Sequence, residues 1–398
     1  MNTESVVIAS RSIDAKVRGV SGVGLEGVGA DVVDQLEAMS IRGLRRMFSP
    51  MHQKFVFRVR RSSDGIVQEG LSLRYTAIAL LGLARRRQQA ERALAGQALD
   101  LVSDSMLHEA STSQNLGDVA LSLWAADEVG ASAAALEPAL KQLVALAPAE
   151  RVYPVVELAW TLSALSDVRA ISAAALRDAV AARLMAAFNP TSKLFPHVVG
   201  SAGTARSHVA CFADIIYPIQ ALAKYSSAIR NQQALDMAST CAAHLCGQQG
   251  PAGQWWWHYD FRTGDVLERY PVYAIHQDAM GPMGLRALAE AGGLDCSTAI
   301  TRGMQWLRVA PELNGGSLID GEADLIWRKV ARREPNKLVR YLQSGLSLAH
   351  SSLRVPAVDT LFPPGVIDYE DRPYHLGWLL YAWSTPHTVA GRRSGTRR

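Results

Sequence analysis

The chain has 398 residues, of which 48% are hydrophobic and 20% are charged, a composition typical of a folded protein with a sizeable core. The formal net charge is only +4, and much of the positive excess lies in the run from Gly391 to Arg398, so charge does not indicate a nucleic-acid groove. No uninterrupted apolar stretch approaches the ~20 residues of a membrane-spanning helix, and the first 30 residues lack the basic start and apolar run of a secretory signal.

The N-terminal part predicts a small extension. Residues 1–30 read as a flexible segment, and residues 31–48 show the pattern of an amphipathic helix that ends before Pro50. Residues 54–60 alternate apolar and basic side chains, which predicts a half-buried strand, and Ser63-Asp64-Gly65 predicts a turn. We therefore expect residues 31–70 to form a helix and a β-hairpin or lid.

Short helical runs that are apolar on nearly every face recur along the rest of the chain, and such runs are typical of helices buried on both sides. They are Arg74–Leu83, Asp118–Ala126, Tyr153–Leu165, Asp214–Tyr225, Tyr270–Leu288 and Pro373–Trp383. More polar stretches between them, such as 85–102 and 172–188, have apolar residues at three- and four-residue spacing. This alternation predicts an all-α (α/α)6 toroid over residues 71–388, followed by a disordered basic tail at 389–398. An open helical solenoid is the alternative.

Other segments are assigned by composition. Residues 195–209 and 314–320 read as long loops. The basic runs 85–87 and 328–333 are expected on solvated faces of outer helices. The cysteines (Cys211, Cys241, Cys246 and Cys296) lack metal-ligand spacing, so buried reduced thiols, a cytoplasmic location and no metal or cofactor are expected.

Three consecutive tryptophans follow Gln249 and Gly253 with the spacing Gln-x-x-x-Gly-x-Trp, after a helical run that ends near Cys246. This segment resembles the QW motif of the repeat family that includes terpenoid cyclases and protein prenyltransferases. In that family the Gln side chain ties down a turn and the Trp packs over the next helix end, which here implies such a role for Trp255. The segment 299–318 resembles a second, degenerate copy.

In a toroid the functional site lies where the inner helices begin. His276 and Asp278 are polar residues in an otherwise apolar helix, so they are candidates for acid/base chemistry. The alternative is that His276 is a satisfied core histidine and that Asp278 pairs internally. His375 lies at the start of the last inner helix, and ring closure would place it beside the first hairpin.

Two further resemblances concern that last segment. Arg372-Pro373-Tyr374-His375 is similar to the Pro-aromatic-His segment of N-acylglucosamine and cellobiose epimerases, (α/α)6 proteins in which two His act as an acid/base pair. That resemblance implies His375 and His276 as the pair. The run 368–371 resembles the DxDD acid motif of class II terpenoid cyclases, with Glu370 in place of an Asp.

The sequence thus favours a carbohydrate-active enzyme, an epimerase, hydrolase or lyase, with His276, Asp278 and His375 as the acid/base set. Its partner would be a small-molecule or oligosaccharide ligand, with no nucleic acid. Polar and aromatic residues near inner-helix starts are the candidate substrate-binding set: Arg74, Tyr75, Glu157, Asp214, Tyr217, Trp256, Trp257, Tyr259, Tyr270, Glu370, Asp371 and Arg372. An isoprenoid-handling protein is the second hypothesis and predicts a largely uncharged aromatic lining, with Asp371 facing inward. A toroid that binds a ligand without catalysis is the third.

Overall fold

The computed structural model describes residues 29–167, 173–200, 207–334 and 358–384, together with 339, 342, 343, 345 and 346. The predicted tail at 389–398 and all but the end of the predicted segment 1–30 lie outside these residues. The helices are α1 (Ala30–Met47), α2 (Leu73–Ala84), α3 (Arg87–Ala93), α4 (Leu99–Ala110), α5 (Leu116–Val129), α6 (Ala133–Ala145), α7 (Val155–Asp167), α8 (Ala174–Ala186), α9 (Phe212–Ile229), α10 (Gln232–Gly247), α11 (Gly281–Glu290), α12 (Ser297–Val309), α13 (Val358–Leu361) and α14 (Pro373–Trp383). A π-helical turn, His276–Met280, leads into α11, and a 3-10 turn spans Pro311–Leu313.

Within the described residues, six helices form a closed inner ring, in the order α2, α5, α7, α9, α11 and α14, with α14 packed back against α2. The outer helices α4, α6, α8, α10 and α12 pack outside them, and α1 packs on α14 and α3. The predicted (α/α)6 toroid is therefore confirmed and the open solenoid is excluded. The N-terminal helix, which we placed in an extension, occupies an outer position.

The ring closes through a contact between two glycines on α2 and α14. A Cβ atom on Gly82 would overlap the carbonyl oxygen of Gly377, and one on Gly377 would overlap the backbone of Ile78. Any side chain here would push the first and last inner helices apart. Aromatic side chains fill the middle of the ring, with Trp124, Trp378 and Tyr381 in mutual contact at centroid distances of 5.4–5.7 Å.

Short strands lie before several inner helices, at the end of the ring that we call the N-terminal rim. The strands are β1 (Phe48–Ser49), β2 (Lys54–Phe55), β3 (Arg58–Ser62), β4 (Gly65–Glu69), β5 (Tyr153–Pro154), β6 (Val198–Val199), β7 (Val209–Cys211), β8 (His258–Asp260), β9 (Val266–Glu268), β10 (Val272–Tyr273), β11 (Ile319–Asp320), β12 (Leu325–Ile326), β13 (Lys329–Arg332), β14 (Pro364–Asp368) and β15 (Glu370–Asp371). Three sheets have three strands (β15-β3-β4, β7-β8-β9 and β10-β13-β14), and β1-β2, β5-β6 and β11-β12 are pairs. The predicted hairpin forms from β3 and β4, and β15 joins it in antiparallel register.

Several local predictions are wrong. Arg85, predicted on a solvated face of an outer helix, follows the inner helix α2 and pairs with Glu128. Residues 329–332 form strand β13 between β10 and β14 rather than an outer helix, and Arg332 is buried between Glu268 and Asp359. The predicted outer helix 85–102 is interrupted between α3 and α4, where Ala95 and Gly96 adopt positive φ angles of 58° and 84°. Among the described helices, none has the length and apolarity needed to cross a bilayer.

The tryptophan segment packs the turn after α10 against the next two helices. Gln249 Nε2 donates to the carbonyls of Gly253 and Ala299, each at 2.9 Å. Trp255 is fully buried, and its indole Nε1 lies 3.2 and 2.9 Å from the positions that Cβ atoms on Gly281 and Gly303 would occupy. Gln249 and Trp255 therefore hold the turn after α10 against α11 and α12, which is a role in packing.

Candidate active site at the N-terminal rim

Arg74, at the start of α2, joins carboxylates from the next two helices of the ring. Its Nε donates to Asp118 Oδ1 at 2.8 Å, and its Nη2 lies 3.3 Å from Glu157 Oε1. Asp118 and Glu157 lie in the first turns of α5 and α7. The guanidinium also stands 5.2 Å from the ring centroid of Trp160. The rim thus holds two carboxylates around one cation.

The two carboxylates differ in their surroundings. The side chain of Glu157 is 11% exposed and that of Asp118 is 24% exposed. Burial raises the pKa of Glu157, and Asp118 raises it further, while Arg74 opposes the shift. A carboxyl group whose pKa is raised can hold a proton closer to neutral pH and deliver it to a substrate, which is the property of a general acid.

A column of stacked aromatic rings stands beside this cluster. Phe57 stacks on Tyr75 at 5.5 Å and 18°, and Tyr75 stacks on Tyr374 at 4.7 Å and 24°. Arg372 Nη1 donates to the Tyr75 hydroxyl at 2.9 Å, and its guanidinium lies 4.5 Å from the Phe57 centroid. Contact between Tyr75 and the Arg372 segment confirms that ring closure brings the last inner helix to the first hairpin.

Strand β15 points its two acidic side chains in different directions. Glu370 meets three guanidinium groups, those of Arg58 (2.7 Å), Arg328 (3.0 Å) and Arg372 (2.6 Å). Burial opposes ionisation of Glu370, but Arg328 and Arg372 outweigh it and lower its pKa. Asp371 instead points into the ring, where its Oδ2 accepts from the backbone N–H of Ile326.

His375 lies in a buried ionic cluster. Its Nε2 is 2.9 Å from Asp278 Oδ1, and its Nδ1 is 3.5 Å from Asp371 Oδ1. Burial disfavours the imidazolium, but Asp278 and Asp371 outweigh it and raise the pKa of His375 to about 10. Burial raises the pKa of Asp371. The structure thus brings together two residues of the predicted acid/base set, as a shielded ion pair.

His276 lies apart from that pair. Its ring stacks on Phe212 at 4.3 Å and 21° and contacts Tyr273 at 5.1 Å. Burial lowers its pKa to about 3, so the imidazole is neutral at physiological pH. No hydrogen bond joins it to Asp278 or His375, and its Nδ1 has no partner among the described residues. The buried, stacked ring fits the alternative of a core histidine, but the unpartnered Nδ1 differs from the satisfied histidine of that alternative.

We expect His276→Ala to lower the free energy of unfolding by roughly 1–3 kcal/mol, because the substitution removes a buried ring and leaves a cavity beside Phe212. Urea unfolding of the purified variant measures this loss. Unchanged stability together with lost turnover would instead support the acid/base interpretation of His276.

Two further residues of the predicted set, Asp214 and Tyr217, lie in the first two turns of α9. Asp214 is buried in the first turn of α9, where its Oδ2 accepts from the backbone N–H of Cys211 at 2.7 Å and lies 3.0 Å from His197 Nδ1. Tyr217 is buried one turn further on, in edge contact with Trp160 at 5.2 Å. Burial raises the pKa of the Tyr217 hydroxyl.

Two aromatic residues of the candidate substrate-binding set, Trp256 and Tyr259, are buried in the protein. Trp256 and Tyr259 are 5% and 1% exposed. Half-buried Trp257 contacts Tyr273. Trp256 lines a separate cavity of about 580 Å³. The hydroxyl of Tyr270, which lies nearby, donates a hydrogen bond to Glu312. Phe57, Tyr75 and Tyr374 supply stacked rings instead.

Sequence reasoning did not select Asp118, Trp160, His197 or Phe57. Asp118 opens the second apolar run, so the rule that selected Arg74 and Glu157 would also have found it. His197 and Phe57 lie outside the inner helices, and only the folded chain brings them to the rim.

The whole architecture is similar to that of solved sugar-acting enzymes. The matches include an unsaturated glucuronyl hydrolase specific for heparin (TM-score 0.56, 14% identity, 89% of this chain and 96% of that chain). A second is the unsaturated glucuronyl hydrolase from Bacillus sp. GL1 responsible for the degradation of glycosaminoglycan (TM-score 0.58, 14% identity, 88% and 96%). A third is a possible member of the GH105 family from Salmonella enterica subsp. enterica serovar Paratyphi A (TM-score 0.55, 10% identity, 95% and 98%).

No protein-family model matches the chain, and neither does any curated protein sequence. Because identities of 10–14% establish the fold alone, the structural matches support the toroid and leave the activity to be argued from the rim. The relation to terpenoid cyclases is not shown by these matches.

Proposed function

We propose that the chain is a carbohydrate-active hydrolase whose site is the N-terminal rim. The observation that carries the proposal is the contact of Arg74 with two carboxylates, of which the less exposed, Glu157, has a raised pKa. Glycosidases use such a pair of carboxylates in different environments, one as the acid and the other as the base or nucleophile.

In this proposal Glu157 donates its proton to the oxygen of the departing group as the sugar bond breaks. Asp118, the more exposed carboxylate, takes a proton from the water whose oxygen forms the new bond to the sugar. Arg74 orients both carboxylates through the contacts described above. The buried pair of His375 and Asp278 then supports the last inner helix and does not contact the substrate.

An acidic sugar is the substrate class that the rim favours. The guanidinium groups of Arg58, Arg328 and Arg372 meet at the carboxylate of Glu370, and Arg58 and Arg328 also pair with Glu69 and Asp368. A uronate carboxylate could compete for these cations, and the stacked rings offer an apolar surface for a sugar ring. Two of the structural matches are glucuronyl hydrolases. We therefore propose a uronate-containing oligosaccharide as the substrate.

The other hypotheses receive less support. The epimerase hypothesis needs His375 and His276 within reach of a ligand, and both are buried. The isoprenoid hypothesis expects Asp371 to face a largely uncharged cavity, whereas Asp371 pairs with His375 and the rim is charged. A toroid that binds the sugar without catalysis would differ from the proposed hydrolase only in the absence of turnover.

A thermal-shift panel tests the substrate class, because a ligand that binds the folded state raises the melting temperature. The panel contains saturated and unsaturated uronyl disaccharides, their neutral counterparts and isoprenyl diphosphates. We expect the uronyl sugars to stabilise the wild type and the control Glu137→Gln, whose carboxylate is exposed on α6, and to stabilise Arg74→Met much less. Stabilisation by isoprenyl diphosphates alone, or equal stabilisation of Arg74→Met, would contradict the proposal.

A further inference from the structure

Three side chains of metal-ligand type meet where α9 begins: His197, Cys211 and Asp214. One ligand atom from each lies within 4.8 Å of the others. The ligand atoms of a tetrahedral zinc ion lie roughly 3–4 Å apart, since the metal–ligand bonds are about 2.0–2.3 Å long. Small side-chain rotations would therefore bring all three atoms to bonding distance from one ion.

The backbone holds two of the three residues in a fixed relation. Cys211 is the N-cap of α9, and its side chain accepts from the Asp214 backbone N–H. The Cys211 N–H donates in return to Asp214 Oδ2 at 2.7 Å. Asp214 Oδ1 lies 3.1 Å from His197 Nδ1. A metal bound through Oδ1 would therefore leave the N-cap hydrogen bonds of α9 intact. The Cys211 N–H would still donate to Oδ2, the carboxylate oxygen that does not bind the metal.

The cluster is buried on the side of Asp214 and exposed to solvent on the side of His197. The Asp214 side chain is fully buried, whereas that of His197 is 55% exposed. Three protein ligands with one open position are the arrangement of zinc sites that also bind water or a ligand. A thiolate together with an imidazole favours zinc over magnesium or calcium, which prefer oxygen ligands.

We propose that His197, Cys211 and Asp214 form a zinc-binding site at the N-terminal rim. The site adjoins the carboxylates described above, because the His197 carbonyl accepts from the Val155 N–H at 3.0 Å, at the start of the helix that carries Glu157. The proposal does not depend on the proposed hydrolysis, since metal binding is measured without a substrate.

Metal content after dialysis against Zn²⁺ and then metal-free buffer tests the site. We expect one retained zinc ion per chain in the wild type, and its loss in His197→Gln and in Cys211→Ser. His197→Gln is the variant expected to disturb the fold less, because the His197 side chain is half exposed. Cys246→Ser is the matched control, since Cys246 is also a half-buried free thiol, and it is expected to keep the metal.

Substitution with Co²⁺ supplies an independent readout. The wild type is expected to show a thiolate-to-cobalt charge-transfer band that disappears in Cys211→Ser, and binding is expected to weaken as pH falls because the thiol and imidazole must lose protons. A wild type that retains no zinc would overturn the proposal, as would zinc that survives in both His197→Gln and Cys211→Ser. Loss of zinc in Cys246→Ser would also overturn it, because the thiol ligand would then lie elsewhere.

Discussion

Replacing Glu157 with Gln is expected to lower kcat on the preferred uronyl sugar by ~10²–10⁴-fold, the usual contribution of a positioned general acid. Gln keeps the size of the side chain and an oxygen that can accept from Arg74, so the ring should remain intact. Steady-state kinetics and the melting temperature of the same preparation measure the two effects separately.

The control for this experiment is Glu137→Gln, which removes a carboxylate paired with Lys141 on the exposed face of α6. It should keep wild-type turnover and stability. If Glu157→Gln and Glu137→Gln turn over the sugar equally fast, Glu157 is not the acid.

Replacing His375 with Ala is expected to lower the free energy of unfolding by ~3–5 kcal/mol. The substitution leaves the buried carboxylates of Asp278 and Asp371 without their cation, and an unpaired buried charge is costly. Urea unfolding measures the loss. His52→Ala is the control, because His52 is exposed, and is expected to change stability by about 0.5 kcal/mol or less. Wild-type stability of His375→Ala with a loss of turnover would support the catalytic role that the sequence predicted.

The same cluster makes stability depend on pH. The pKa of His375 is raised from 6.5 to about 10 in the folded protein. Its protonation therefore stabilises the fold fully below pH 6.5, and this contribution is lost as pH rises through about 10. We expect the free energy of unfolding to fall across that window in the wild type and to fall less in His375→Ala.

The sequence predicted the inner ring well because a helix buried on both sides must be apolar all round. The last inner run was predicted from Pro373 to Trp383, and α14 has these bounds. The region 328–333 was predicted wrongly because β13 is stabilised by β10 and β14, strands distant in sequence. Local composition carries no information about such partners.

Part of the candidate site could be predicted from the sequence for a similar reason. Polar residues at the starts of apolar helices, such as Arg74 and Glu157, stand out in the sequence because a buried helix rarely contains them. The sequence does not show in which direction such a side chain points in the folded chain. His276 meets the same criterion, but in the folded chain its ring lies against Phe212 and Tyr273. Ring closure also decides that Asp371 meets His375 and that Glu370 meets three arginines.

The proposed function requires a sugar to bind between the rim carboxylates and the stacked rings. A crystal structure of Glu157→Gln, soaked with the uronyl sugar that most stabilises the protein, would show where the sugar binds. We expect the sugar at the rim, with its reacting bond within hydrogen-bonding distance of residue 157 and of Asp118, and with Phe57 or Tyr75 against a ring face. A sugar bound in the separate cavity lined by Trp256, or at the opposite end of the ring, would rule out the rim as the hydrolase site.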